Sequence, residues 1–151
     1  MTRRRGGSSE RSRRLGGGMR RICLDTDFLV ALLRGHPEAL ERAEEYDSSG
    51  VEVSTTSMNA FEIYLGAFRS REASKNLKEA DDLLSSIKVL DLNLEGARRA
   101  GEVFSELLRK GMPIGLRDAI IAGIALAGGY TLVTRNVGHF RRVVGLSTET
   151  W

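Results

Sequence analysis

Residues 22–30 read Ile-Cys-Leu-Asp-Thr-Asp-Phe-Leu-Val, and this stretch decides the fold. Its first three residues form a short apolar run that is typical of a buried strand. A helix is predicted to begin at Thr26 and to end at Leu33, before an Arg-Gly pair. Two acids, Asp25 and Asp27, stand where the strand passes into the helix. This junction is the first unit of an alternating α/β chain.

The alternation of strands and helices continues outward to the end of the chain. The predicted strands are Ile22–Leu24, Val51–Ser54, Val89–Leu92, Tyr130–Thr134 and a last one near Val143–Leu146. The predicted helices are Thr26–Leu33, Pro37–Ser49, Thr55–Phe68, Ala73–Ile87, Leu94–Lys110, Leu116–Ala127 and a short turn within Val137–Arg142. Strands separated by helices imply right-handed crossovers and a parallel sheet with helices on both faces. We therefore expect a three-layer α/β domain over residues 19–151, with four or five parallel strands.

The net charge of +3 is unevenly distributed along the 151 residues. Residues 1–18 contain six arginines and one glutamate and so carry +5, whereas the remaining 17 basic and 19 acidic residues give −2. Arginine, glycine and serine dominate residues 1–18, which predicts disorder. This tail is interpreted as a cloning remnant, a wrongly assigned start with Met19 as the true initiator, or an RNA-binding arm. The domain itself must contact phosphates through local patches or bound cations.

The sequence predicts a soluble, intracellular protein. Cys23 is the only cysteine, so no intrachain disulfide can form, and a buried free thiol is typical of a reducing compartment. The stretch Ala119–Thr134 is free of charges but too short to cross a bilayer. No apolar segment precedes residue 22, which argues against a secretory signal. We expect a cytoplasmic location without membrane attachment.

Three acids stand where acids are unusual. Asp25 ends the first strand, Glu62 is the only charge in the apolar helix 55–68, and Asp118 opens the apolar helix 116–127. Each has a structural alternative: a helix cap for Asp25 and Asp118, an ion pair with an arginine for Glu62, and a pair with the adjacent Arg117 for Asp118.

Carboxylates that share a site repel one another, so they need a compensating cation. Hard oxygen ligands without a Cys/His cluster favour Mg²⁺ or Mn²⁺ over zinc, and such ions typically serve phosphoryl transfer. His36 and His139 have no partner at metal-ligand spacing and are interpreted as surface or turn residues. The acids therefore predict a metal site at the carboxyl ends of the strands.

Four motifs resemble those of PIN domains, in order, from Ile22 to about Leu146. They are Leu24–Val30 with its strand-end acid, Asn59–Ala67 with a helical glutamate, Arg117–Ala122 with an aspartate at a helix start, and Thr131–Phe140. In the last motif Asn136 stands where the family often has aspartate. The length of the chain and the residues of its four motifs resemble those of VapC toxins of VapBC toxin–antitoxin systems.

This resemblance implies an endoribonuclease that cleaves structured or transfer RNA, forms a homodimer and is inhibited by a small antitoxin. It implies a catalytic set in which three acids bind Mg²⁺ or Mn²⁺ and an asparagine orients a water molecule. The acids are Asp25, Glu62 and Asp118, and the asparagine is Asn136. Thr26, Asp27 and Thr134 are expected to support these residues through polar contacts.

Three alternatives remain open at this point. The first is a stand-alone PIN nuclease of RNA processing, and the second is a catalytically weakened PIN fold that binds RNA or protein, which Asn136 favours. The third is a receiver-like phospho-switch. Two observations argue against it: no strand-end aspartate is followed by a Lys-Pro pair, and a phospho-switch gives Glu62 no role.

Overall fold

A computed structural model describes residues 19–151, in which five parallel strands form one sheet. The strands are β1 Arg21–Leu24, β2 Glu52–Thr56, β3 Lys88–Leu90, β4 Thr131–Val133 and β5 Thr148–Glu149. Their order in the sheet is β3-β2-β1-β4-β5. The three-layer α/β prediction is confirmed, whereas the interpretation of residues 1–18 lies outside the described residues.

Helices connect the strands and carry the capping residues that the sequence provides. They are α1 Thr26–Leu33, α2 Pro37–Ser48, α3 Ser57–Phe68, α4 Ala73–Ser85, α5 Leu94–Arg109, α6 Leu116–Gly128 and α7 Val137–Phe140. Thr56 and Asn59 form a reciprocal capping box at the start of α3, and Asn93 accepts a hydrogen bond from Gly96 N at the start of α5. Gly129 ends α6 at φ +71°, a left-handed conformation that favours glycine.

Two apolar cores lie on opposite faces of the sheet. Ile22 and Leu24 point toward a core with residues from α1, α2, α3 and α4, whereas Cys23 points toward α5, α6 and α7. Phe28 and Phe140 are fully buried in these two cores, one on each face. Burying an aromatic side chain of this size stabilises the fold by about 1.5–3 kcal/mol. This two-sided burial holds β1 in place at the centre.

Helices α5 and α6 pack closely because glycine lies at their contact. A Cβ atom at Gly123 would lie 2.6 Å from Gly96 O and from Ala100 N. Both contacts are with backbone atoms, which cannot move aside cheaply. Gly123 therefore fixes the position of α6 and, with it, the position of Asp118.

Several predicted boundaries differ from the structure, among them those of α3, β3 and the last strand. Helix α3 begins at Ser57 and not at Thr55, because Thr55 and Thr56 extend β2 and pair with β3. Strand β3 covers Lys88–Leu90 instead of Val89–Leu92. The predicted last strand at Val143–Leu146 is wrong. Val143 is buried in a core, the chain turns at Gly145 with φ +87°, and β5 begins only at Thr148.

The sheet order places β1 between β2 and β4. The chain passes from β1 outward to β2 and β3, then returns across β1 to add β4 and β5 on the other side. The carboxyl ends of β1 and β4 thus form the point where the strand order reverses, which is where parallel sheets bind ligands. Among the helices of residues 19–151, none is long and apolar enough to cross a bilayer.

Candidate active site

Asp25 lies at the carboxyl end of β1 and is 3% exposed. Its Oδ1 accepts hydrogen bonds from Thr26 N at 2.8 Å and from Asn59 Nδ2 at 3.0 Å. Its Oδ2 accepts a hydrogen bond from the Thr134 hydroxyl at 2.7 Å. Asp25 therefore caps α1, which was the structural role considered for it from the sequence. It also lies where the strand order of the sheet reverses. The strand and these bonds fix the carboxylate with little freedom.

Glu62 projects from α3 toward the same point. Its side chain is 27% exposed. Its Oε1 accepts a 2.5 Å hydrogen bond from the Thr26 hydroxyl, which in turn accepts a 2.9 Å bond from Asn59 Nδ2. Asn59 is fully buried one helical turn before Glu62 and so connects it to Asp25. The position of Glu62 thus depends on α1 as well as on its own helix.

Asp118 reaches the site from the first turn of α6 and is 6% exposed. Its Oδ2 lies 2.9 Å from His139 Nδ1, which α7 presents from the far side. His139 is exposed, as its interpretation as a surface residue predicted, but it also contacts Asp118, because α7 packs against the start of α6. Sequence separation hides this contact, since the two positions are 21 residues apart in the chain.

Arg117 lies between the three acids and contacts all of them. Its Nε and Nη2 donate to the two carboxylate oxygens of Glu62 at 2.6 and 2.8 Å. Nη2 also donates to Asp25 Oδ1 at 2.9 Å, and Nη1 donates to Asp118 Oδ1 at 2.5 Å. The arginine partner that was the structural alternative for Glu62 and Asp118 is therefore present. A single guanidinium supplies the compensating cation that the acids require.

Glu62 and Arg117 in this cluster each stabilise the charged form of the other. Burial would raise the pKa of Glu62, but hydrogen bonds from Arg117 and Thr26, together with the arginine charge, hold it below its usual value. Burial would lower the pKa of Arg117, but the hydrogen bond to Glu62 and the charge of Asp25 raise it. Both groups therefore remain charged at neutral pH.

Asp27 and Thr134, predicted as supporting residues, lie beside Asp25 at the ends of β1 and β4. Thr134 is fully buried, and its oxygen also accepts a hydrogen bond from Asn136 N at 2.9 Å. Asp27 Oδ2 accepts a hydrogen bond from Arg135 N at 2.8 Å, while its buried Oδ1 has no hydrogen-bond partner among residues 19–151. Burial, followed by the charge of Asp25, raises the pKa of Asp27 above its usual value.

Asn136 lies at the mouth of the site and contacts none of the three acids directly. Its Nδ2 lies 3.4 Å from His139 Nδ1, and its side chain is exposed. Asn136 is linked to the acids by two indirect routes: its side chain through His139 to Asp118, and its backbone N through Thr134 to Asp25. Asn136 is therefore near the cluster but at its periphery.

Sequence reasoning missed three residues that belong to this site. They are Asn59, Arg117 and His139. The sequence did contain a signal for Asn59. Asn59 lies one turn before Glu62, the only charge of its apolar helix, so both side chains are on the same face of that helix. Arg117 was considered only as a neighbour of Asp118, and nothing local indicated that it also reaches Asp25 and Glu62.

The donor set is suitable for a hard divalent cation. Three carboxylates already surround one positive group, and the unpartnered Asp27 Oδ1 adds a nearby anionic oxygen. Within residues 19–151, no three Asp, Glu, His or Cys side chains converge as closely as metal binding requires. The acids converge instead on the Arg117 guanidinium, so an ion held by them would replace it.

Comparison with known proteins identifies the family of this chain. The family model described as PIN domain matches residues 22–146. A tRNA(fMet)-specific endonuclease VapC from Shigella flexneri is 32% identical over 133 residues, covering 88% of this chain and 99% of that protein. Ribonuclease VapC2 from Haemophilus influenzae is 31% identical over the same length and coverage.

Solved structures give the same result. The VapBC2 structure from Rickettsia felis, bound to a promoter DNA fragment, aligns with a TM-score of 0.81 and 29% identity, covering 87% of this chain and 98% of that chain. The DNA-bound VapBC structure from Salmonella typhimurium aligns with a TM-score of 0.80 and 31% identity, covering 88% and 99%. The chain belongs to the PIN-domain family and, within it, to the VapC group.

Proposed function

We propose that this chain is the toxin of a toxin–antitoxin pair and hydrolyses phosphodiester bonds in RNA as an endoribonuclease. The observation that carries the proposal is the convergence of Asp25, Glu62 and Asp118 on one positive group at the switch point of the sheet. Relatives similar over nearly the whole chain are named as ribonucleases or as a tRNA-specific endonuclease. We expect the protein to act in the cytoplasm, where its RNA substrate is.

The proposed cofactor is Mg²⁺ or Mn²⁺, held by Asp25, Glu62 and Asp118. A divalent ion bound there supplies activation of a water molecule and stabilisation of the leaving oxygen. Asp25 is the central ligand, because the sheet and four hydrogen bonds fix its carboxylate. Glu62 and Asp118 approach from two helices and close the site from either side.

The remaining polar residues orient these ligands. Thr134 holds Asp25 Oδ2, and Thr26 with Asn59 holds Asp25 and Glu62 at a fixed separation. His139 holds Asp118 Oδ2. Asn136, which adds no charge, orients a water molecule at the mouth instead of anchoring the ion. Such outer contacts set the geometry that direct ligands need.

The catalytic proposal is tested with purified toxin and RNA. Transfer RNA and an unstructured RNA are incubated with the protein in Mg²⁺, in Mn²⁺ and in EDTA, and the cleaved ends are sequenced. We expect cleavage with either ion and none in EDTA. An Asp118→Asn variant purified in parallel controls for contaminating nuclease. Cleavage that persists in EDTA at wild-type level but is absent from that variant would refute the metal-dependent mechanism.

We also propose an antitoxin partner and a homodimer, because the similar solved structures from Rickettsia felis and Salmonella typhimurium are VapBC complexes. Helix α3 exposes three large apolar side chains at helical spacing: Phe61 at 59%, Leu65 at 45% and Phe68 at 66%. Light scattering of the isolated chain tests the dimer. Co-purification with the product of an adjacent small reading frame, and loss of cleavage in that complex, tests the antitoxin.

A further inference from the structure

The Arg117 guanidinium fills the place that the proposed metal ion needs. It donates five hydrogen bonds of 2.5–3.2 Å to the site, four to carboxylates and one to the Thr26 hydroxyl. It contacts one oxygen of Asp25, one of Asp118 and both of Glu62. A divalent ion bound by the same oxygens would lie against a positive group, which Coulomb repulsion strongly disfavours.

The side chain has room to leave. Arg117 is 33% exposed, whereas Asp25 and Asp118 are 4% and 8% exposed at their side chains. The arginine therefore enters the cluster from the solvent side, and its long flexible side chain can return there. The acids cannot leave in the same way, because Asp25 is held by the sheet and Asp118 by the first turn of α6. Exchange of cations must therefore take Arg117 out of the cluster, while the acids stay in it and adjust only their spacing.

We propose that Arg117 is a displaceable internal cation that competes with the divalent metal, and that the displaced guanidinium binds the phosphate of the RNA substrate. This inference rests on the metal-dependent function proposed above. Without metal, the positive charge of Arg117 offsets part of the negative charge of the three acids and stabilises the fold. With metal, its guanidinium lies at the mouth of the site. A planar group with five N–H donors is suited to bind phosphate oxygens there.

The competition also accounts for the spacing of the acids. Among the described residues, no three potential ligands converge at metal-binding distance, although three carboxylates contact one guanidinium. A guanidinium is wider than a divalent ion, so it holds the carboxylates farther apart. Replacement by a smaller divalent cation would draw the three carboxylate groups closer together.

The test measures Mn²⁺ binding to the full chain by calorimetry and by electron paramagnetic resonance, without RNA. Arg117→Gln removes the charge and keeps a donor, and Arg117→Lys keeps the charge and loses the planar fork. Arg141→Gln is the matched control, because it removes one positive charge just after α7 and makes no side-chain hydrogen bond among residues 19–151. We expect Arg117→Gln to bind Mn²⁺ about tenfold more tightly, Arg117→Lys to lie in between, and Arg141→Gln to stay within about twofold.

Thermal unfolding gives an independent readout. Metal-free Arg117→Gln should melt below wild type, because the acids lose their counter-charge, and saturating Mn²⁺ should raise its midpoint more than that of wild type. In saturating Mn²⁺, Arg117→Gln should show a raised KM for RNA, since the phosphate contact is lost. If Arg117→Gln does not fold without metal, wild type is compared instead with Arg117→Lys and with Arg117→Gln protein that has been refolded in Mn²⁺.

The outcomes separate this inference from the proposed function. If wild type binds Mn²⁺ and Arg117→Gln binds it equally or more weakly, Arg117 is a structural or supporting residue and the competition is refuted. An unchanged KM with tighter Mn²⁺ binding would refute the phosphate contact alone. If neither wild type nor Arg117→Gln binds Mn²⁺, the metal-dependent function itself is overturned.

Discussion

The Thr134 hydroxyl donates a 2.7 Å hydrogen bond to Asp25 Oδ2 and so joins the end of β4 to the end of β1. The same oxygen accepts a bond from Asn136 N, and the side chain is fully buried. We expect Thr134→Val to lose both bonds and to destabilise the fold by about 1–3 kcal/mol. Urea unfolding measures this loss. Thr134→Ser, which keeps the hydroxyl and removes only the methyl group, is the control, and an equal loss in Thr134→Ser would mean that packing at this buried position, and not the hydroxyl bonds, sets the cost.

A second prediction concerns Asp118 in metal-free buffer. Repulsion among the acids alone would make Asp118→Asn stabilising. However, Asp118 bonds to Arg117 and His139 through separate oxygens, and an amide has only one acceptor oxygen. We therefore expect Asp118→Asn to melt below wild type in EDTA at pH 7, with a loss of about 1–3 kcal/mol. A midpoint equal to or above wild type would mean that repulsion outweighs these bonds.

The third prediction is the pH dependence of Glu62. Its pKa lies below the usual value in the folded chain, so its contribution to stability is present above the unfolded pKa of about 4.3. That contribution is lost as the pH falls through the lower, folded pKa. Urea unfolding of wild type and Glu62→Gln from pH 7 to pH 3 should therefore show a difference that shrinks with acid. A constant difference across this range would contradict the assignment.

A fourth prediction ranks the site residues by how much RNA cleavage is lost when each is replaced. Alanine at Asp25, Glu62 or Asp118 should abolish RNA cleavage, whereas Asn136→Ala should lower it without eliminating it, because Asn136 contacts none of the acids. Asn136→Asp should tighten Mn²⁺ binding by adding a carboxylate at the mouth. Cleavage assays and calorimetry measure these effects. Near-normal turnover of Glu62→Ala together with complete loss in Asn136→Ala would reverse the assigned roles.

The fifth prediction concerns the thiol of Cys23, which is fully buried in β1. Burial, opposed in part by the hydrogen bond with Ser54, raises its pKa to about 12. Because the thiolate is the reactive form, a thiol-specific reagent should not modify the native protein at pH 8. In urea the thiol should react fully within minutes. Rapid modification of the native chain would show that β1 opens locally.

The sequence predicted the strand-end acid because its signal is local. An apolar run followed directly by Asp25 and a helix places the carboxylate at the edge of the sheet, whatever the neighbouring strands do. Glu62 and Asp118 were found for a similar local reason, since Glu62 is the only charge of one apolar helix and Asp118 is the only acid of another. The strand positions followed from alternation, except where the apolar Val143–Leu146 packs as a turn instead of pairing.

The contacts between these acids could not be predicted in the same way. Adjacent residues on a helix point in different directions, which argued against a pair between Arg117 and Asp118. The arginine side chain is long enough to bend across the helix start, and two more acids from distant segments attract it. Its position depends on the three-dimensional arrangement of α1, α3 and α6, which no local pattern specifies. The contact of His139 likewise depends on how α7 packs.

The position of β1 between β2 and β4 has a consequence for protein synthesis. Asp25 leaves the ribosome early, but Thr134 and the strand that completes its surroundings emerge after most of the chain has been made. Pairing partners so distant in sequence form late in folding. A chain stalled before β4 therefore lacks an assembled site and cannot cut the RNA around it. The test compares Mn²⁺ binding by ribosome-bound chains arrested at residue 125 with binding by released full-length chains. We expect only the full-length chains to bind Mn²⁺.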